Sequence, residues 1–216
     1  MRKTILAVAA ASAIATVGIT GLNAQAGPEA EGMDASTVAS GTYSTDPNHS
    51  LVGWRLDHLG FNDYFGIFGD VTGTLVLDTD NIANSSVDVM IPLNNPTVAS
   101  AGLRDHLLRP GGEGTNPDFF GPEPEAAHFV STAVHQTGED TAHIMGDLTF
   151  NGVTKPVTIE AELSGMGTNM MSQKPTVGFH GTTTINRSEW DFGWGIPFGI
   201  GDEVELDITV AFELQE

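Results

Sequence analysis

"LTFNGVTKPVTIEAEL", residues 148–163, carries the pattern that decides the fold. Leu148 and Phe150 flank Thr149, and Asn151-Gly152 supplies a turn. Val157, Ile159, Ala161 and Leu163 then alternate with Thr158, Glu160 and Glu162. Apolar residues at every second position describe a strand with one dry face and one wet face. The dry face must cover something: a packed core, a partner, or a greasy ligand.

The alternation recurs on both sides of this hairpin. Val52, Trp54, Leu56 and His58 share a face, as do Val71, Gly73, Leu75 and Leu77. Val87, Val89 and Ile91 form a third row, and Phe129, Ser131 and Ala133 a weaker one. Val177, Phe179, Gly181, Thr183 and Ile185 follow. The clearest row is the last, Val204, Leu206, Ile208, Val210, Phe212 and Leu214. With the hairpin and a strand around His143–Asp147 this predicts about eight strands joined by short polar turns, an all-β chain with no βαβ rhythm. Residues 97–108, after Pro96, suit a short helix. Residues 109–128 are a Pro- and Gly-rich loop with one turn at Asp118-Phe119-Phe120. An open eight-stranded sheet would expose two edges and need a second layer, for which there is too little helix. Closure into an eight-stranded antiparallel barrel solves both problems. At that size the interior is either filled by side chains or holds one small ligand, and alternation does not say which.

The first 26 residues read as an export signal: Arg2 and Lys3, an apolar run from Ile5 to Val17, and Ala24-Gln25-Ala26 before the cleavage point. The run falls short of the roughly 20 residues that span a bilayer. Residues 27–41 lack periodicity and read as a disordered linker, leaving residues 42–216 as the barrel domain. The expected product is a soluble protein outside the cytoplasm with no membrane span. Cysteine is absent, which excludes disulfides, thiolate chemistry and a lipid-modified Cys. The signal holds two of the eight basic residues and none of the 28 acids. The remainder therefore carries six against 28, a formal charge of −22 with His neutral. Such a surface repels nucleic acid and anionic lipid headgroups.

Little in the chain speaks for catalysis or metal. There is no H-E-x-x-H, and His49 and His58, an odd offset apart on one strand, face opposite ways. "DTDNIANSS" (78–86) starts like a calcium loop but has Ile82 and Ala83 where a ligand and a Gly belong. No G-x-S-x-G occurs, and "GWGIPFG" is not set between a strand and a helix. The expectation is a non-enzyme without metal or cofactor.

Several segments resemble the YceI-like family. They are "YSTDPNHSLVGWRLDHLGFNDYFGIFGDVTGTL" from Tyr43, "LRDHLLRP…PDFF", "AHFVST", "GDLTFNGVTKPVTIEAEL" and "INRSEWDFG", in order from Tyr43 to about Phe212. Arg104-Asp105-His106-Leu107 is one residue tighter than the family's usual spacing, and "GGEGTN" (111–116) is inserted before Asp118-Phe119-Phe120. The resemblance implies a lipocalin-like barrel with one or two short helices near its mouth, in the periplasm or secreted. It further implies a long isoprenoid or fatty chain as ligand in an internal apolar channel.

Candidate ligand-binding residues are then Trp54, Leu56, His58, Phe65, Phe68, Leu75, Val89, Phe119, Phe120, Phe129, Phe150, Phe179 and Phe212. To these the Gly- and aromatic-rich stretch 189–202, read as a flap, adds Trp190, Phe192, Trp194 and Phe198. Arg104, His106 and Arg187 are headgroup candidates. With so few cations, a neutral or weakly polar head such as a quinone, alcohol or amide is expected, on a chain of 20 or more carbons. The competing reading is a barrel with a filled core, acting in a stress-related role through its acidic surface. Oligomeric state is left open, a homodimer included.

Overall fold

The computed structural model describes residues 35–215. The signal reading and most of the linker lie outside the described residues. The last linker residues hold a 3-10 turn, Ala35–Thr37, and the first strand starts at Gly41.

Ten strand segments follow one another: β1 (Gly41–Thr45), β2 (Leu51–His58), β3 (Asn62–Phe68), β4 (Thr72–Leu77), β5 (Ser86–Ile91), β6 (Ala127–Gln136), β7 (Thr141–Phe150), β8 (Val153–Thr168), β9 (Pro175–Asn186) and β10 (Glu203–Leu214). They make eight staves. β10 pairs with β1 near its C-terminal end and with β2 nearer its N-terminal end, so β1 and β2 are halves of one broken stave. β3 and β4 are likewise one stave, pairing with β2 and β1 in turn. The remaining antiparallel ladders run β4–β5–β6–β7–β8–β9–β10, and the β1–β10 pairing closes the ring.

The break in the first stave has a local cause. Asp46-Pro47 opens a 3-10 turn, Pro47–His49, in which proline has no N–H for the ladder. Ser50, 2% exposed, repairs the gap: its hydroxyl accepts from the Ala211 amide at 3.2 Å. In the second stave the kink falls at Asp70, which takes a left-handed φ of 56°.

The opening stretch folds as its pattern predicts. Asn151 and Gly152 both have positive φ, 50° and 75°, as a two-residue hairpin turn requires, and Phe150 faces Val153 across it. Along β8 the residues from Val157 to Leu163 alternate between sheltered and exposed. The weak row on β6 is corrected by a bulge between Ser131 and Ala133, which turns Ala133 outward and buries Val134.

Among the described residues there is one α-helix, α1 (Ala101–Leu108). It begins later than residue 97 because Thr97 pairs with Ile67 on the outer edge of β3, and Ser100 supplies the N-cap, accepting from the Leu103 amide at 3.2 Å. α1 and the loop after it cover the end of the barrel where β3 has no neighbouring strand, packing Leu103, Leu107, Phe119 and Phe120 against the core.

Candidate functional site: an apolar cavity under an aromatic lid

Two apolar clusters occupy the two ends of the barrel. At the far end Tyr43, Leu75, Val177 and Phe212 pack together from the neighbouring strands β1, β4, β9 and β10, and Val38, from the segment before β1, and Met166 pack on them. The Tyr43 hydroxyl, fully enclosed, donates to the Ala39 carbonyl at 2.7 Å, so its one polar group is satisfied. This end is plugged. The other cluster holds Trp54, Phe68, Leu93, Leu107, Phe129, Leu148, Trp190 and Val204.

Between the plug and the mouth lies a cavity of about 250 Å³. Every stave contributes to its wall. β8 supplies Val157, Ile159 and Ala161; β10 supplies Val204, Leu206, Ile208, Val210 and Phe212. The lumen stays open partly because large rings lie against the wall. A Cβ at Gly66, opposite Trp54, would sit 2.2 Å from its Cζ2, and one at Gly146 would sit 2.5 Å from the Phe129 ring. Only glycine admits each ring so close to the strand, and the middle is left free.

Of the polar residues bordering the cavity, His180 alternates outward on β9 and Thr183 is a single hydroxyl. Arg187 is 2% exposed and already engaged. Its Nε donates to the Gly201 carbonyl at 2.8 Å, Nη1 to the carbonyls of Phe192 and Trp194 at 2.6 and 2.9 Å, and Nη2 to that of Ile200 at 3.3 Å. Burial pushes its pKa down, partly opposed by the charge of Asp202. Arg187 therefore acts as the hub around which the loop between β9 and β10 is folded. The Trp54 indole N–H is the one buried side-chain polar atom among the described residues without a hydrogen-bond partner.

The mouth is covered by aromatic rings from the two long loops. Phe192 packs on Phe120 and Phe150 at centroid distances of 5.1 and 4.9 Å, and Phe119 packs on Trp194 at 5.0 Å. Behind this lid His106 lies edge-on to both Phe119 and Trp194. Asp118 accepts from Arg109 at 2.5 Å and from His106 at 3.0 Å. Arg109 first, then His106, holds the Asp118 carboxyl below its ordinary value of 3.8.

The structure brings Trp54, Leu56, Phe68, Leu75, Val89, Phe119, Phe120, Phe129, Phe150, Phe179, Phe192 and Phe212 together on the cavity wall. It places the other candidates elsewhere. Phe65 is 63% exposed, because the β2–β3 register sets it opposite Arg55 on the outer face. Phe198 is 74% exposed, at the end of the 3-10 turn Ile196–Phe198. His58 stacks on Tyr64 at 4.2 Å, past the end of the cavity. Trp190 is buried behind the wall, its N–H donated to the Leu148 carbonyl at 3.0 Å, and the Asn151 side chain bonds its carbonyl. Trp194 is on the outer side of the lid. Arg104 reaches Asn95 at 3.1 Å on the surface, away from the cavity, as is His106. Sequence reasoning passed over Leu93 and Leu107, which close the mouth from outside any strand and so show no alternation. Of the aliphatic wall it named only Leu56, Leu75 and Val89, leaving out residues such as Val157, Ile159, Leu206 and Ile208, which the alternation had already turned inward.

A family model described as "YceI-like domain" matches residues 43–212. The chain belongs to the YceI-like family. Relatives in this family include a UPF0312 protein of Pseudomonas fluorescens (strain SBW25), 34% identical over 181 residues, covering 82% of this chain and 89% of the relative. Among solved structures, Burkholderia cenocepacia BcnA superposes with a TM-score of 0.61 at 22% identity, covering 75% of this chain and 95% of its own. A polyisoprenoid binding domain from Saccharophagus degradans, implicated in plant cell wall breakdown, superposes with a TM-score of 0.57 at 13% identity, covering 80% and 98%. These likenesses establish a shared YceI-like barrel.

Proposed function

We propose that this YceI-like barrel is an exported, non-enzymatic carrier that encloses the end of a long apolar chain, isoprenoid or fatty. The observation that carries the reading is the cavity of about 250 Å³ walled by aliphatic and aromatic side chains. An apolar cavity of about 150 Å³ stays dry and takes a guest the size of benzene, so by proportion this one takes roughly ten carbons. Shielding ten carbons at about 0.8 kcal/mol each gives a gross driving force of roughly 8 kcal/mol before association costs. A chain of 20 or more carbons exceeds the cavity, so its remainder and its head pass between the lid aromatics or stay at the mouth. With Arg187 committed to four carbonyls, the cavity has no free cation among the described residues, which favours a neutral head. The Saccharophagus degradans neighbour, a polyisoprenoid binding domain, supports the same ligand class.

The test is titration of the purified protein with a dansyl-labelled C20 isoprenoid alcohol, alongside native mass spectrometry of protein taken from its own host. Saturable one-to-one uptake and a co-purifying apolar mass are expected. A barrel that comes out empty and takes up no alcohol overturns the carrier. Export is checked separately: N-terminal sequencing should find the exported form starting at Gly27, and a cytoplasmic protein retaining Met1 overturns that part.

A further inference from the structure

Two exposed aromatic side chains sit on adjoining turns at the mouth. Phe61 is 86% exposed in the β2–β3 turn, and Phe198 is 74% exposed in the loop between β9 and β10. The turns that carry them are tied together. The Leu59 amide donates to the Gly199 carbonyl at 2.9 Å, the Gly201 amide donates to the Asp57 carbonyl at 2.8 Å, and His58 bridges to Ile200. A few residues along the same loop, Trp194 packs on Phe119, which lines the cavity. The apolar tips and the cavity entrance thus share one rigid end of the barrel. Keeping two phenylalanines in water costs stability without serving the core, which marks a contact surface.

Charge selects the occupant. The chain carries a formal −20, so a second copy brings the same charge to the contact, and an anionic lipid surface is repelled as well. The basic side chains at this end are engaged: Arg187 with the carbonyls of the loop itself, and Arg55 with Glu205 and Asp63. Asp57 and Asp63 face each other across the same hairpin. A neutral apolar phase is what these tips fit. A guest with little solubility in water would also have to arrive from such a phase.

We infer that the paired turns tipped by Phe61 and Phe198 dock onto the surface of an electrically neutral phospholipid bilayer, aiming the lid at the hydrocarbon. The inference rests on the carrier reading for its purpose, but the docking itself is measured without any guest. The opposite end offers a built-in control. Met170 and Met171 are 80% and 93% exposed in the β8–β9 turn, at the other end of the barrel from the aromatic lid.

The experiment is flotation of the exported chain with pure phosphatidylcholine vesicles, compared with vesicles containing phosphatidylglycerol. Wild type is expected to float with phosphatidylcholine, with binding unchanged or strengthened by salt and weaker on the anionic vesicles. Phe61→Ser with Phe198→Ser is expected to lower binding at least tenfold, while Met170→Ser with Met171→Ser leaves it unchanged. Circular dichroism confirms that both variants fold. Uptake of the dansyl alcohol from detergent solution should be equal in all three proteins, which separates a failed dock from a failed cavity. Absence of flotation, equal flotation of the Phe double variant, or loss of flotation in salt overturns the inference. A sedimentation dimer that the Phe double variant abolishes overturns it in favour of self-association.

Discussion

The plugged end and the mouth of the barrel are built from the same staves, yet one is solid and the other encloses space. At the plug, Tyr43, Leu75, Val177 and Phe212 come from neighbouring staves and pack on one another, with Val38 laid over them. Towards the mouth, Trp54 and Phe129 lie back against glycines, and the closing rings come from loops instead of strands. Inward-facing apolar residues are thus no measure of filling. What matters is whether the rings pack on one another or fold back onto the wall.

The sharpest way to break this contrast is at the plug. Tyr43→Ala should cost about 3–5 kcal/mol, as large-to-small core changes with a residual cavity do. A lowered urea midpoint with an unchanged slope checks it, and the lengthened cavity should accept a longer chain. The converse change fills the middle of the cavity. Ala161→Phe should cost about 1–3 kcal/mol by overpacking while abolishing uptake of the isoprenoid alcohol. Retained uptake would mean that the guest sits elsewhere.

A paired comparison of two indoles follows. Trp190→Phe removes a donor from the Leu148 carbonyl and should cost about 1–3 kcal/mol. Trp54→Phe removes a donor that has no partner and should cost less, about 1 kcal/mol. Thermal unfolding of the two variants ranks them, and the reverse order would refute the geometry. The smallest effect belongs to pH at the lid. Asp118 is held below 3.8 by Arg109 and His106, so its contribution is present above that value and fades as pH falls through its lowered pKa. Tryptophan fluorescence of the folded protein should therefore shift below about pH 4 in wild type. In Asp118→Asn that component should be absent.

The barrel was legible because strand alternation reports a local property, the side to which each residue turns. The rows on β4, β5, β8, β9 and β10 needed nothing beyond a period of two. Where reading failed, two things were missing. Phe65 lies one position before Gly66, and the register across β2 decides which of them faces the lumen. On the loops there is no period at all, so Trp190, Trp194 and Phe198 looked alike although one is a staple, one a lid and one a solvent-exposed tip.

By itself the sequence determined eight of the ten strand segments, their closure and the acidic composition, because charge and periodicity are carried residue by residue. Its motifs determined the family, and β1 and β3 emerged only in the structure. Tertiary structure alone decided that the centre is hollow at one end and blocked at the other. That outcome depends on which side chains stand opposite one another around a closed ring, and ring contacts join residues far apart in the chain.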